Sequence, residues 1–330
     1  MRVLFLGSKR LGLRVLQTIV ATRPESLVGV VTLRDDDDSR SVRPDFQRFC
    51  AEHRLTLHEV SRRSEADQVL VETSPDLCIV VGWYWLIGEE MRSRVPGGFV
   101  GIHNSLLPRY RGGAPLVWSL IRGDAEVGAS IFTLSDGVDS GPIWAAVRVQ
   151  VEPQEGIGSV LARLEDGVVA TFRELYPRLL DGQASAQAQD VTAATYCCQR
   201  RPEDGQIDWS WPAAAIHNFI RAQSEPYPGA FTMLGSRPLH IWRAEPTSEV
   251  WLGVPGQVAR IIDDTVLVVC GDSRCLALRV VSQDGIRSAA SQLIRSVRAR
   301  FPQHPVYLER LDTMAPSHDT PAESSAHGRS

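Results

Sequence analysis

Between Val100 and Ile143 the chain sets a histidine and an aspartate in polar, glycine-rich surroundings: GIHNSLLPRYRGGAP carries His103, and SDGVDSGPI carries Asp139. An imidazole and a carboxylate within reach of each other can move protons near neutral pH, which is the work of general acid–base catalysis. On composition alone, a single loop histidine is more often a solvated side chain. The six cysteines (Cys50, Cys78, Cys197, Cys198, Cys270 and Cys275) form no CxxC pair and share no zinc-ligand spacing with histidines. They read as reduced, structural thiols, and no metal is expected.

The order of the residues is more specific than their types. HNSLLPRYRG, followed downstream by DGVDSG, resembles the folate-dependent formyltransferase family. That family includes methionyl-tRNA formyltransferase, glycinamide ribonucleotide formyltransferase and the N-formyltransferases of nucleotide-linked amino sugars. Its pattern, Asn-x-His-x-Ser-Leu-Leu-Pro with a later Asp-x-Gly turn, is matched at His103, Ser105, Leu106, Leu107, Pro108, Asp139 and Gly141. RPEDGQIDW (Arg201 to Trp209), PYPGAF (Pro226 to Phe231) and PGQV (Pro255 to Val258) are similar to the C-terminal domain of methionyl-tRNA formyltransferase and of the aminoarabinose formyltransferase. Locally, PYPGAF also reads as a proline-rich turn before a strand.

The resemblance implies a co-substrate, N10-formyltetrahydrofolate, and an acceptor amine. Attack of a neutral amine on the formyl carbon builds an oxyanion and a positively charged nitrogen, so the site needs a hydrogen-bond donor and a proton acceptor. By the resemblance, His103 sits beside the oxyanion and Asp139 tunes it and relays protons. The family asparagine two residues before the histidine is here Gly101, and Asn104 is the candidate substitute, although alternation along an extended chain points it the other way. The pterin pocket is expected from Trp83, Leu86, Ile87, Leu107, Asp136, Val138 and Asp139. Ser105, Arg109, Tyr110, Arg111 and Gly112 are expected to meet the acceptor. The two arginines suit a phosphate on the acceptor or the folate glutamate, with solvated charge as the alternative reading.

These loops need a scaffold. Residues 1–7 form a short apolar run, 11–22 carry apolar residues at helical spacing, Leu27 to Leu33 is a second strand, a helix follows near 44–53, and Leu77 to Val81 is another strand. Alternating strands and helices predict an α/β, Rossmann-like, doubly wound and mostly parallel sheet over residues 1–185. GSKRLG at Gly7 to Gly12 lacks the G-x-G spacing of a dinucleotide fingerprint and reads as a tight strand-to-helix turn. Val160 to Leu180 is an amphipathic helix with Gly182 as its C-cap. Residues 186–204 read as a linker, and 205–310 as a smaller OB-like β-barrel domain built from a helix near 212–223 and several short strands. The tail, 311–330, is expected to be disordered.

The 330 residues are 43% hydrophobic and 22% charged with a net charge of -4, an ordinary globular balance without bulk attraction for nucleic acid or anionic membranes. No signal-peptide pattern and no run of membrane-spanning length is present, so a cytoplasmic protein is expected. LRDDDDSRSVRP places four aspartates where methionyl-tRNA formyltransferases carry a basic insertion, and an acidic turn would repel RNA. A nucleotide-linked amino sugar is therefore the leading acceptor. A small amine such as hydroxyornithine or an antibiotic precursor comes next, then charged tRNA, and a non-catalytic folate or sugar-nucleotide binder is the alternative class. The C-terminal domain could dock a substrate, a protein partner or a second subunit in a homodimer.

Overall fold

The computed structural model describes residues 1–302; the expected tail and the last residues of the C-terminal domain lie outside them. The first part of the chain runs β1 (Val3–Gly7), α1 (Lys9–Thr22), β2 (Leu27–Leu33), α2 (Arg43–Glu52), β3 (Leu57–Val60), α3 (Arg63–Thr73), β4 (Leu77–Val81) and α4 (Glu89–Ser93). It continues through β5 (Phe99–His103), β6 (Arg111–Gly112), α5 (Pro115–Ile121), β7 (Glu126–Thr133), β8 (Ile143–Gln150) and α6 (Ile157–Leu180). Seven of these strands form one sheet in the order β3-β2-β1-β4-β5-β7-β8. The strands from β3 to β5 are parallel, whereas β7 and β8 are antiparallel.

The period-two alternation of the strands divides the core into two layers. Val3, Phe5, Ile79 and Val81 pack with α1, α2 and α6, including Leu16, Phe46 and Phe172. Leu4, Leu6, Cys78 and Val80 pack on the opposite face with α3 and Met91 of α4. Strand order reverses about β1 and β4, so the crevice beyond their carboxyl ends is where an open α/β sheet offers a ligand site. In GSKRLG, Gly7 and Ser8 make the tight β1-to-α1 turn and Lys9 to Gly12 open α1.

The second part contains β9 (Tyr196–Cys197), α7 (Ala213–Arg221), β10 (Ala230–Leu234), β11 (Arg237–Val250), β12 (Val258–Ile262), β13 (Thr265–Val269), β14 (Arg274–Gln283), β15 (Ile286–Ala289) and α8 (Ala290–Leu293). The six strands β10–β15 form an antiparallel sheet, irregular along β11, around a core of Trp209, Ile216, Phe219, Leu239, Val268 and Leu278. β10 and β12 remain its edges, the arrangement of a small, partly open barrel. Among the described residues no helix is long and apolar enough to cross a membrane.

Within residues 186–204, the stretch from Gln187 to Cys198 is bonded to the first domain, whereas Arg200 turns to Gln223. Gln187 exchanges backbone hydrogen bonds with Ile143, β9 pairs with β6, and Trp118 Nε1 donates to the Cys198 carbonyl. This segment is a tethered strap.

Candidate active site

His103 is the last residue of β5, buried opposite Ser130 of β7. Its Nε2 lies 2.8 Å from the carbonyl oxygen of Tyr110, so Nε2 carries a proton and donates it there. Nδ1 is then the ring nitrogen left for proton exchange, and it faces Asp139 Oδ2 at 3.5 Å. Asp139 lies on the loop joining β7 and β8, at a left-handed φ of 46°. Its Oδ2 also accepts the Gly112 N–H at 2.8 Å, so one carboxylate oxygen bridges the histidine and the loop behind it.

The 104–110 loop is fixed from within. Ser105 Oγ donates to the Arg109 carbonyl at 2.7 Å, and Ser130 Oγ donates to the Ser105 carbonyl while accepting the Leu107 N–H. Arg109 and the Tyr110 hydroxyl both bond Asp124, and burial together with that carboxylate pushes the Tyr110 phenol up to about 12. Arg111, 3% exposed, gives its guanidinium to Gln189 and Tyr196. The structure thus brings Ser105, Arg109, Tyr110, Arg111 and Gly112 near His103, with Arg109 and Tyr110 held by Asp124, Arg111 by Gln189 and Tyr196, and Gly112 by Asp139. Asn104 follows the strand end, half-buried, with no side-chain hydrogen bond among the described residues.

At Gly101 a side chain would be tightly placed and Leu134 would have to give way. A Cβ there would stand 3.1 Å from Leu134 Cδ2 and 3.5 Å from Phe132 Cε1.

Of the expected apolar wall, Trp83 and Ile87 pack on the sheet, and Trp83 meets Trp85 edge-on at 5.3 Å. Leu107 is buried. Leu86 is 85% exposed and Val138 55% exposed, two apolar side chains on loops at the strand ends with nothing covering them. Asp136 is engaged by Arg92.

A larger cavity of about 690 Å³ opens between the domains, lined among others by Arg34, Tyr84, Trp85, Arg200, Arg201 and Tyr227. His103 and Asp139 do not line it, but Ala114, two residues beyond Gly112, does. Its mouth carries the acidic turn after β2, which is not a merely solvated run. Lys9 reaches Asp35 at 2.5 Å and Asp38 at 2.9 Å, Arg40 forks onto Asp38, Tyr84 donates to Asp38, and Arg43 pairs with Asp36. Lys9 of α1, Arg40 of the turn and Arg43 of α2 therefore offset much of the negative charge that would repel RNA. Gln189 had no distinguishing signal in the sequence, because its partners Arg111 and Asp139 lie far along the chain.

Residues 1–174 match the family model described as formyl transferase, and residues 200–298 match the formyl transferase C-terminal domain. The chain belongs to the formyl transferase family. This formyl transferase is 31% identical over 275 residues to the methionyl-tRNA formyltransferase of Trichlorobacter lovleyi, covering 82% of this chain and 86% of that one. It is 28% identical over 306 residues to that of Bacillus licheniformis, covering 88% and 96%. Among solved structures, WlaRD, a sugar 3N-formyl transferase, superposes with a TM-score of 0.64 at 14% identity over 87% of this chain and 98% of that one. HypX from Aquifex aeolicus, in a variant form, superposes at 0.61 and 17% identity over 89% of this chain, which spans 47% of HypX. At these identities the structural likeness shows the fold of this formyl transferase. Among its described residues no cluster of His, Cys, Asp or Glu could hold a metal ion.

Proposed function

We propose that this formyl transferase moves the formyl group of N10-formyltetrahydrofolate onto the primary amine of a nucleotide-linked amino sugar. The observation that carries the chemistry is the His103–Asp139 pair, fixed at the end of β5 with only Nδ1 left for proton exchange. The folate supplies the formyl group when bound. The exposed Leu86 and Val138 offer it an apolar surface, and the Trp83–Gly88 loop gives a heterocycle backbone groups at a strand end. With protons on both ring nitrogens, His103 donates Nδ1–H to the charge developing on the formyl oxygen as the amine adds, and Asp139 accepts the proton that the amine gives up; collapse then breaks the bond from the formyl carbon to N10, and that proton passes to N10 of the departing tetrahydrofolate. Burial of His103 keeps bulk water from competing for that hydrogen bond.

The acceptor reading rests on the interdomain cavity. Its volume falls within the roughly 300–1,000 Å³ of small-molecule sites, and its guanidinium groups and aromatic rings suit phosphates and a base. WlaRD, in the presence of dTDP and 5-N-formyl-THF, and an N-formyltransferase from Helicobacter canadensis, in complex with folinic acid and dTDP-3-aminofucose, support this assignment. The second reading, formylation of methionine on initiator tRNA, is favoured by the two sequence relatives and by the internal neutralisation of the acidic turn.

Release of tetrahydrofolate from N10-formyltetrahydrofolate, measured with dTDP-linked amino sugars, hydroxyornithine and methionyl initiator tRNA, separates these readings. Release only with an amino sugar, and a formyl group on its amine by mass spectrometry, is the expected result. Release only with charged tRNA would replace the acceptor, and folate binding without release under any condition would replace catalysis by binding.

A further inference from the structure

Asp139 holds a left-handed backbone conformation that costs most L-residues about 1–2 kcal/mol, and contacts from outside its loop help to hold it there. The side chain that bonds the carbonyls on either side of Ser140 comes from the strap. Gln189 Nε2 donates to the Asp139 carbonyl at 2.8 Å and to the Gly141 carbonyl at 2.7 Å. Its Oε1 accepts from Arg111 Nη2 at 2.6 Å and Nε at 3.1 Å. Two carbonyls on one side and a guanidinium on the other fix which end of the amide is oxygen, and use both its protons and both its lone pairs.

We propose that Gln189 is a positioning residue that clamps the Asp139 loop to the Tyr110–Gly112 loop and so sets the His103–Asp139 separation. Both loops bear on the same imidazole: Tyr110 holds Nε2 and Asp139 faces Nδ1. Glutamine is the side chain that can do this, because the bridge needs donors at one end and an acceptor at the other. Glutamate would set a carboxylate against two carbonyls, and methionine would fill the volume without bonding either loop. The clamp acts through the Asp139–His103 pair, so its main effect falls on the chemical step.

This inference rests on the proposed formyl transfer, and wild-type turnover in the same assay tests that reading separately. Gln189→Met and Gln189→Glu should each lower kcat by about 100-fold, the scale of a 1 Å misplacement, with KM for folate and amine within twofold of wild type. The same variants should move the His103 Nδ1 resonance in the ¹⁵N spectrum of histidine-labelled protein and leave Nε2 in place. Assignment comes from the signal lost in His103→Gln, and no substrate is needed. An unchanged kcat and Nδ1 signal in folded protein would overturn the clamp, as would a raised KM at constant kcat, which would make Gln189 a substrate contact. Failure of both variants to fold would make Gln189 a scaffold residue and overturn the proposal equally.

Discussion

His103 Nδ1 stands 3.5 Å from Asp139 Oδ2, and that same oxygen accepts the Gly112 N–H at 2.8 Å. Asp139→Asn keeps an oxygen for Gly112 and removes the charge facing the imidazole, so folding should survive while tetrahydrofolate release falls about 100-fold or more. His103→Ala should lose as much rate and also about 1–3 kcal/mol of stability, because the buried Tyr110 carbonyl loses its donor. Rates and thermal melts of the two proteins decide it; wild-type rates in both would sink the proposed site.

Restoring the family asparagine tests Gly101. Gly101→Asn alone should destabilise by about 1–3 kcal/mol through overpacking against Leu134. Adding Leu134→Ala makes room, and the double variant should turn over faster than wild type if a donor is missing at the formyl oxygen. A rate at or below that of Leu134→Ala alone would mean another group already serves, and Asn104→Ala then tests the neighbouring amide.

Gly112 has φ 102°, and a Cβ on it would lie 2.4 Å from the Cys197 carbonyl oxygen in β9. Gly112→Ala should separate the strap from the loop, with a stability loss of about 1–3 kcal/mol from the backbone alone and a large drop in turnover. A variant with normal melting and normal turnover would show that the β6–β9 pairing is dispensable.

Burial opposes ionisation of Asp38, yet hydrogen bonds from Arg40, Lys9 and Tyr84 outweigh it and hold the carboxyl well below the usual carboxylate range. A depressed carboxyl stabilises the fold above its unfolded value, near 3.9, and that contribution is lost only as pH falls through the depressed value. The turn at the cavity mouth should therefore stay closed through pH 5 and below. Lys9→Met should move its opening to higher pH, read by fluorescence of the nearby Trp85, and should raise the acceptor KM more than it lowers kcat.

Burial pushes the Cys50 and Cys275 thiols up to about 11 and Cys270 to about 12, and raises Cys78 as well. Burial, with the charge of Asp139, pushes Cys197 up to about 12. Only Cys198 is exposed. A thiol-disulfide reagent at pH 8 should titrate one cysteine in the folded protein, and Cys198→Ser should abolish that signal. Rapid reaction of Cys197 would contradict the closed strap.

The parallel half of the sheet could be read from sequence, since β2 and β4 are apolar runs bounded by polar turns, and Gly182, at φ 68°, follows α6 as its glycine implied. β3 and α3 were hidden because only Val60 and then Ala66, Val69 and Leu70 are buried, too few for a clear period. β7 and β8 run antiparallel because the loop between them is too short for a crossover of the dozen residues a parallel partner needs. His103 and Asp139 were recognisable by motif. The bonds of Arg109 to Asp124 and of Gln189 to Arg111 were not, because local spacing says nothing about partners brought together by the fold.

The two family matches stop at residue 174 and resume at residue 200, yet the intervening stretch supplies Gln189, Tyr196 and Cys197 to the loops around His103. A chimera that exchanges the C-terminal barrel with a junction at residue 185 would carry a foreign segment into the reaction centre, whereas a junction at 200 would keep it whole. The border between the modules of this chain is therefore not the border of its chemistry.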